Sequence, residues 1–344
     1  MQKVYSDVIQ FKGSHFDFGL YQGELLKSSP FLRKQEATYK RFAQKFTIEV
    51  PLITNLLNTY APHLIDEIEG LAQALNFTKE KALLYFAGYY ASHKSGCSIT
   101  TRANYMIRNY DNAPHTYDGR FMLFSPTDSG FASMGPSMQI TGRMDGLNEK
   151  GLAIGYNFVN TRNTADGFVC NMIGRILLER CQNTDEAIQL LRDIPHKHSF
   201  NYVLLDAERN SKIVEASPRQ ISVREATACT NHFSILTEEN RYRMEDSLAR
   251  EQVISEAQQQ ELSMKEAFEL LNGIKRGVFA TKFGAWDGTL HTAGYLPSER
   301  KAIFALGGDA LPVFIDFEAW LHGERLALTK LKGVLDAQEG FANI

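Results

Sequence analysis

Apolar residues recur at three- and four-residue steps over Ile53–Ala61 and again over Leu64–Phe77, which predicts two amphipathic helices. Ile53, Leu56, Leu57 and Tyr60 share a face of the first, and Ile65, Ile68, Leu71 and Leu75 a face of the second. Thr78 offers an N-cap for a third helix over Lys79–Ser92, so the chain up to Gly96 reads as mainly helical. At Gly96 the period changes. From Ser98 to Phe158 short β-type runs follow one another, SITTR, NYMIRNY, RFMLFS, SMQITGR and LAIGYNF, separated by Gly, Asn, Asp and Pro. Helical spacing returns at Val169–Gln182 and Glu186–Asp193, and strand signals at NYVLLDA, SKIVEAS and QISVREA. Two more helices are predicted over Arg241–Gln260 and Met264–Leu271, the latter behind a Ser263-x-x-Glu266 capping box. TLHTAGYLP, KAIFALG and VFIDF read as strands, followed by a short amphipathic tail.

Strand blocks separated by helix pairs, rather than strict βαβ alternation, predict an α+β layered fold. Hairpin-length connections favour antiparallel pairing. Two such sheets covered outside by helices accommodate every block, as one domain preceded by the helical segment 1–96. No internal repeat or low-complexity hinge divides the chain.

Composition narrows the partners. Charged residues make up 22% and the formal net charge is -3, so no basic field favours nucleic acid. The most apolar stretch, Ala82–Ala91, is too short to span a bilayer and is flanked by Lys79, Lys81 and Lys94. The N-terminus lacks the apolar core of a secretory signal, which makes the cytoplasm the expected compartment. Cys97, Cys170, Cys181 and Cys229 show no CxxC pairing, so neither a disulfide framework nor a zinc knuckle is indicated, and most are expected to be plain buried thiols.

Several chemistries can be set aside. The chain has no GxGxxG after a strand, no GxxxxGK[ST], no HExxH and no GxSxG. His196 and His198 form an H-x-H, but Pro195 and Lys197 point to an exposed loop with no third ligand nearby, so no metal site is read there. His232 lies too close in sequence to Cys229 for the usual catalytic pair, whose members converge from distant segments.

Cys97 stands apart. A thiol of pKa near ~8.5 is mostly protonated at neutral pH and needs a base or a cation to act as a nucleophile. A free α-amine on the same residue, of pKa about 7.7–8.0, is an economical base. It requires the Gly96–Cys97 bond to be cut, and Gly96 puts no side chain in the thiol's way and tolerates a strained backbone. If Cys97–Arg102 and Tyr105–Tyr110 pair as strands, Arg108 and Asp111 arrive beside the start of the first. The arginine could then lower the thiol pKa and the aspartate hold the ammonium. On spacing alone, a surface ion pair is the favoured reading of these two residues.

Separate stretches in one order carry a resemblance. They are Gly96-Cys97-Ser98, Arg108-Asn109-Tyr110-Asp111, Gly146-Leu147-Asn148-Glu149-Lys150-Gly151-Leu152 with Gly155-Tyr156-Asn157-Phe158, Thr230-Asn231-His232-Phe233, and Asp246-Ser247-Leu248-Ala249-Arg250. Together they resemble the N-terminal-nucleophile (Ntn) hydrolase superfamily of penicillin acyltransferase and choloylglycine hydrolase. Gly13-Ser14-His15-Phe16-Asp17-Phe18-Gly19 through Gly23, and the length of chain before Cys97, resemble the acyltransferase-like branch.

The resemblance implies a four-layer αββα sandwich with two antiparallel sheets over 97–344, and a helical segment 1–96 packed on it. It implies cleavage between Gly96 and Cys97, with Cys97 as nucleophile and its own base, Asp111 on the α-amine and Arg108 against the thiol. Asn157 and Asn231 would be oxyanion donors, and Arg250 would complete the polar ring. As turn residues at strand ends the two asparagines have an ordinary alternative, and Arg241 and Arg243 compete with Arg250. Asn148 and Glu149 are expected to make a turn. The implied activity is hydrolysis of linear amide C–N bonds through an acyl-thioester. The alternatives are acyl transfer from a thioester such as acyl-CoA, or an uncut, non-catalytic binding relative. No metal or organic cofactor is expected, and the expected partner is a small-molecule amide or acyl-thioester, with no membrane and no nucleic acid. A homo-oligomer is left open.

Overall fold

The computed structural model describes residues 1–34, 36, 39–40, 49–90, 96–241, 244–283 and 287–343. Its strands are β1 (Gln2–Gly13), β2 (Gly96–Arg102), β3 (Tyr105–Asn112), β4 (Arg120–Pro126), β5 (Ser133–Met138), β6 (Gly142–Arg143), β7 (Asp145–Asn148) and β8 (Ala153–Phe158). After them come β9 (Phe200–Leu205), β10 (Ser211–Ala216), β11 (Ile221–Arg224), β12 (Ala228–Cys229), β13 (Gly288–Leu296), β14 (Lys301–Leu306), β15 (Val313–Asp316) and β16 (Lys330–Leu335).

They form two sheets. The first has 10 strands in the order β11-β10-β9-β8-β7-β5-β4-β1-β16, with β6 on β5; the second has 6, in the order β12-β2-β3-β13-β14-β15. Every pairing between these strands is antiparallel apart from β1–β4.

Buried apolar clusters mark the layers. Ile99, Met106 and Leu290 of the smaller sheet meet Leu123, Leu147 and Val203 of the larger one, an apolar seam between two sheets. On the outer face of the larger sheet, Ile154, Leu204 and Val214 pack against Leu71, Leu83, Ile173 and Leu177 of the helices. On the outer face of the smaller sheet, Tyr105 and Ile107 pack against Ile254, Phe268 and Leu271. The order is helix, sheet, sheet, helix: an αββα sandwich, as the sequence led us to expect.

The pre-Gly96 segment is mainly helical, with helices His15–Lys27, Val50–Tyr60, His63–Leu75 and Lys79–Phe86 among the described residues. His15–Lys27 and His63–Leu75 cross closely. A Cβ on Gly19 would lie 2.0 Å from the Glu67 carbonyl oxygen, and one on Gly70 2.2 Å from that of Phe16. Only glycine permits that approach.

Several details depart from the expected pattern. The chain opens with a strand, β1, which enters the larger sheet between β4 and β16. The amphipathic tail is β16, whose Leu331 and Leu335 alternate into the core. The run SMQITGR is broken in two, because Gln139 and Ile140 both take left-handed φ (55° and 70°). The helix expected over Lys79–Ser92 stops at Phe86 before Gly88 at φ 58°. Ala91, Ser92 and Arg243 lie outside the described residues.

Candidate active site

The hairpin β2–β3 sets the geometry around Cys97. Its register pairs Gly96 with Asp111, Cys97 with Tyr110, Ser98 with Asn109 and Ile99 with Arg108. Side chains alternate across a strand, and directly paired residues share a face. Cys97, Ile99, Met106 and Tyr110 therefore point into the seam between the sheets, where Arg108 joins them, while Tyr105 and Ile107 face the helices. Asp111 belongs to the helix-facing set. Arg108 and Asp111, three residues apart on one strand, thus serve opposite faces.

Arg108 is fully buried. One arm, Nη2, donates to Cys97 Sγ at 3.2 Å and to the Tyr156 carbonyl at 2.6 Å. The other, Nη1, donates to Asp145 Oδ2. The rings of Tyr110 and Tyr156 lie 4.9 and 5.0 Å from the guanidinium carbon, within cation–π range. Asp145 also accepts from Tyr295 Oη, and from His291 Nε2 at 3.0 Å. Tyr117 Oη is 2.9 Å from His291 Nδ1. Burial opposes charge on Asp145, but His291, Arg108 and Tyr295 outweigh it and hold its pKa at about 2. Burial lowers the His291 pKa, which favours a neutral ring donating from Nε2 to the carboxylate and accepting from Tyr117 at Nδ1. Burial also opposes the charge on Arg108, yet the sulfur and Asp145 together raise its pKa.

The backbone of Cys97 is held as firmly as its side chain. Its N–H donates to Asn231 Oδ1 at 2.9 Å, and its carbonyl accepts from Arg250 Nη1 at 2.8 Å. Arg250 also donates to Ser98 Oγ at 2.6 Å and to Asn231 Oδ1 at 2.9 Å. Helix Glu245–Gln258 supplies Arg250 and, three residues earlier on the same face, Ser247, whose Oγ accepts from the Asn231 N–H at 2.7 Å.

Gly96 takes no left-handed φ; it lies in the extended strand. Its need for glycine is contact: a Cβ there would sit 3.1 Å from Asp111 Oδ2 and 3.3 Å from Asp111 Cβ. The Asp111 carboxylate is thus packed against the residue before the candidate nucleophile, fixed by Thr289 Oγ1 at 2.6 Å. Burial raises its pKa, while Arg250, Thr289 and Arg108 pull the other way. Asp287 is pushed up to about 6 by burial and by the charge of Asp111.

The two asparagines differ. Asn231 sits against Cys97, with its Nδ2 donating to the Phe158 carbonyl at 2.8 Å. Asn157 lies a step back: its Nδ2 donates to the Cys229 carbonyl at 2.9 Å, and its Oδ1 is buried without a hydrogen-bond partner. Asn201, paired with Asn157 across β8–β9, donates to the Thr230 and His232 carbonyls at 3.1 and 2.8 Å. These two residues pin the backbone that presents Asn231. Asn148 makes the expected turn, accepting from Lys150 N and Leu152 N, and its Nδ2 also takes up the Leu178 and Cys181 carbonyls.

Asp145, His291, Tyr295, Ser247 and Asn201 were missed by reasoning from sequence. Asp145 had a signal: it directly precedes the Gly146–Leu152 stretch. His291 and Tyr295 had none, being polar positions in an ordinary alternating strand. Burial pushes Cys170, Cys181 and Cys229 each up to about 12, which leaves them protonated. His196, read as lying in an exposed loop, is instead buried, with Nε2 2.7 Å from the Leu191 carbonyl.

An αββα sandwich with a buried cysteine near the start of a strand in one of its sheets defines a protein of the Ntn-hydrolase class. The family model described as acyl-coenzyme A:6-aminopenicillanic acid acyl-transferase matches residues 99–311, and the chain belongs to this family of acyl-transferring and amide-hydrolysing enzymes. No curated protein matches it. Among solved structures it is similar to a cysteine-to-alanine mutant of conjugated bile acid hydrolase from Clostridium perfringens, at 12% identity and TM-score 0.47, covering 72% of this chain and 100% of that one. It is also similar to penicillin V acylase from Agrobacterium tumefaciens, at 14% identity and TM-score 0.42 over 64% of this chain and 85% of that one. A Caenorhabditis elegans orthologue of N-acylethanolamine-hydrolyzing acid amidase matches at 10% identity and TM-score 0.38, over 59% of this chain and 93% of that one. No helix among the described residues is long and apolar enough to cross a membrane.

Proposed function

We propose that the chain is a self-processing enzyme that cleaves linear amide C–N bonds through an acyl-thioester on Cys97. The observation that carries this reading is the capture of Cys97 at every polar atom. Arg108 lies 3.2 Å from Sγ, Asn231 2.9 Å from the amide nitrogen and Arg250 2.8 Å from the carbonyl oxygen.

In the processing step, Sγ attacks the Gly96 carbonyl carbon, the C–N bond to Cys97 breaks, and the nitrogen takes up the proton that the thiol loses. Water then hydrolyses the thioester, leaving a carboxylate on Gly96 and a free amine on Cys97. In turnover, that amine accepts the thiol proton as Sγ attacks the substrate carbonyl, and returns it to the departing amine. Water resolves the acyl-enzyme.

Magnitudes favour a base over the arginine alone. A lone cation ~4 Å from a thiolate at an effective dielectric of ~20 contributes about 4 kcal/mol. Asp145, on the other arm of the same guanidinium, carries the opposite charge and offsets part of that. Arg108 then orients the sulfur more than it ionises it, and the proton still needs an acceptor. Asp111, packed against Gly96, would hold the released ammonium in this reading. Asn231 turns Oδ1 to the Cys97 nitrogen, so its second Nδ2 hydrogen would be the oxyanion donor, with Asn157 supporting its loop. Localisation in the cytoplasm and action on a small-molecule amide belong to the same reading.

Intact-mass analysis tests it. Two fragments with Cys97 at the new N-terminus, labelling of Cys97 by iodoacetamide, and a Cys97→Ala variant that stays full length are the expected results. A single full-length species with an unreactive Cys97 overturns the reading in favour of a non-catalytic relative. The family's name favours a second reading, acyl transfer from a coenzyme A thioester. The ratio of free acid to amide formed from one acyl donor in the presence of an amine separates it from hydrolysis.

A further inference from the structure

A second buried cluster lies away from Cys97, where the N-terminal helices meet the larger sheet. His15 opens helix His15–Lys27, His63 opens helix His63–Leu75, and Glu179 lies near the end of helix Cys170–Arg180. One ligand atom from each of His15, His63 and Glu179 lies within 4.8 Å of the others, and all three residues are buried. We propose that they form a structural site for a divalent metal ion of the zinc class, fastening the segment before Gly96 to the core.

The geometry supplies what such a site needs. Asp128 Oδ1 lies 2.7 Å from His15 Nδ1, and Asp128 Oδ2 accepts the His15 backbone N–H at 2.8 Å. A carboxylate on Nδ1 fixes that nitrogen as a donor, so that the neutral ring carries its lone pair on Nε2, the usual outer support of a metal-ligating histidine. His15 Nε2 is buried and has no hydrogen-bond partner, and it faces Glu179 Oε1 at 3.6 Å. His63 Nε2 is 2.8 Å from Glu179 Oε2. Ligand bonds of about 2.0–2.1 Å in a tetrahedral site separate donor atoms by roughly 3.3–3.5 Å, inside the 4.8 Å within which the three ligand atoms lie.

Arg175 occupies Glu179 Oε1 and also pairs with Glu67, leaving Oε2 for an ion. Glu67 and Glu179 both pair with Arg175 and feel the nearby Arg143, while Asp128 pairs with His15. Two ligands precede Gly96 and one follows it. The ion would join the two parts of the chain whether or not the bond between them is cut.

The test uses the full-length protein, stripped with a chelator and dialysed against Zn²⁺. The expected results are one zinc per chain by elemental analysis, a rise in Tm on adding Zn²⁺, and a visible Co²⁺ spectrum of tetrahedral type. His63→Gln and His15→Gln should each lower zinc affinity at least 10-fold and abolish the Tm rise. His198→Gln, at the sequence's own H-x-H, should bind as the unaltered chain does. If one histidine variant fails to fold, the other and the Co²⁺ spectrum of the unaltered chain still decide. Sub-stoichiometric zinc with an unmoved Tm, or zinc binding by the His15 and His63 variants as tight as that of the unaltered chain, overturns the proposal and leaves a proton on His15 Nε2.

Discussion

Two buried charge networks sit on opposite faces of the same sheet, and they are built on different principles. Between the sheets, Arg108 has one carboxylate, Asp145, and its other arm, Nη2, donates to a sulfur and a carbonyl. Beneath the N-terminal helices, Arg175 has two carboxylates, Glu67 and Glu179. The first network leaves a cation's arm aimed at a reactive atom and holds it by a single anchor. The second is redundant, as suits a fastening. A site that must present a group to chemistry cannot also saturate it with partners.

This contrast can be broken most forcefully at Asp145. Asp145→Asn leaves Arg108 buried without a counter-charge, which typically costs about 3–5 kcal/mol. Glu67→Gln leaves Arg175 its second carboxylate and is expected to cost only ~1–3 kcal/mol, the range for one lost buried partner. Urea denaturation of both variants compares them, and an Asp145→Asn cost no larger than that of Glu67→Gln would show that the networks are equally redundant.

A smaller effect is expected at Ser247, whose hydroxyl holds the Asn231 N–H. Ser247→Ala should lower stability by about 1 kcal/mol while reducing kcat more than it raises KM, because Asn231 then loses its fixed position beside Cys97. Steady-state kinetics with unchanged kcat would remove Ser247 from the positioning of the site.

A further effect is one of pH. Asp145, held at about 2, contributes stability that is present above its unfolded value near 4 and is lost as pH falls through about 2. Asp287, pushed up to about 6, has the opposite sign: its contribution is greatest below about 4 and declines as pH rises to about 6. Asp287→Asn should therefore gain Tm relative to the unaltered chain as pH is raised from 4 to 6.5, and a constant difference across that window would refute the assignment.

Much of this architecture was legible along the chain. The change of period at Gly96, the capping box at Ser263 and the paired runs that became β2 and β3 all lie in local spacing, and local spacing is what decides helix against strand. The candidate site was legible where its residues sit in short stretches, as with Cys97, Arg108 and Asp111, or in Asp246–Arg250. What stayed hidden depends on partners distant in sequence. β1 is a strand because β4 and β16 flank it, and nothing within Gln2–Gly13 names them. The break at Gln139 and Ile140 depends on Asp118, whose carboxylate takes both backbone N–H groups. His291 reads as one more polar position in β13 until the second sheet brings Asp145 to it.

The sequence by itself determined the layered α+β class, the place of Cys97 at a strand start, and the residues one hairpin away, since strand periodicity and hairpin register are local matters. Only the tertiary structure decided which face each of those residues serves, that Arg108 answers to Asp145 as well as to the sulfur, and that His15, His63 and Glu179 meet at all. Those outcomes depend on how the two sheets and the outer helices close on one another, and charges buried by that closure must take whatever partners the packing brings.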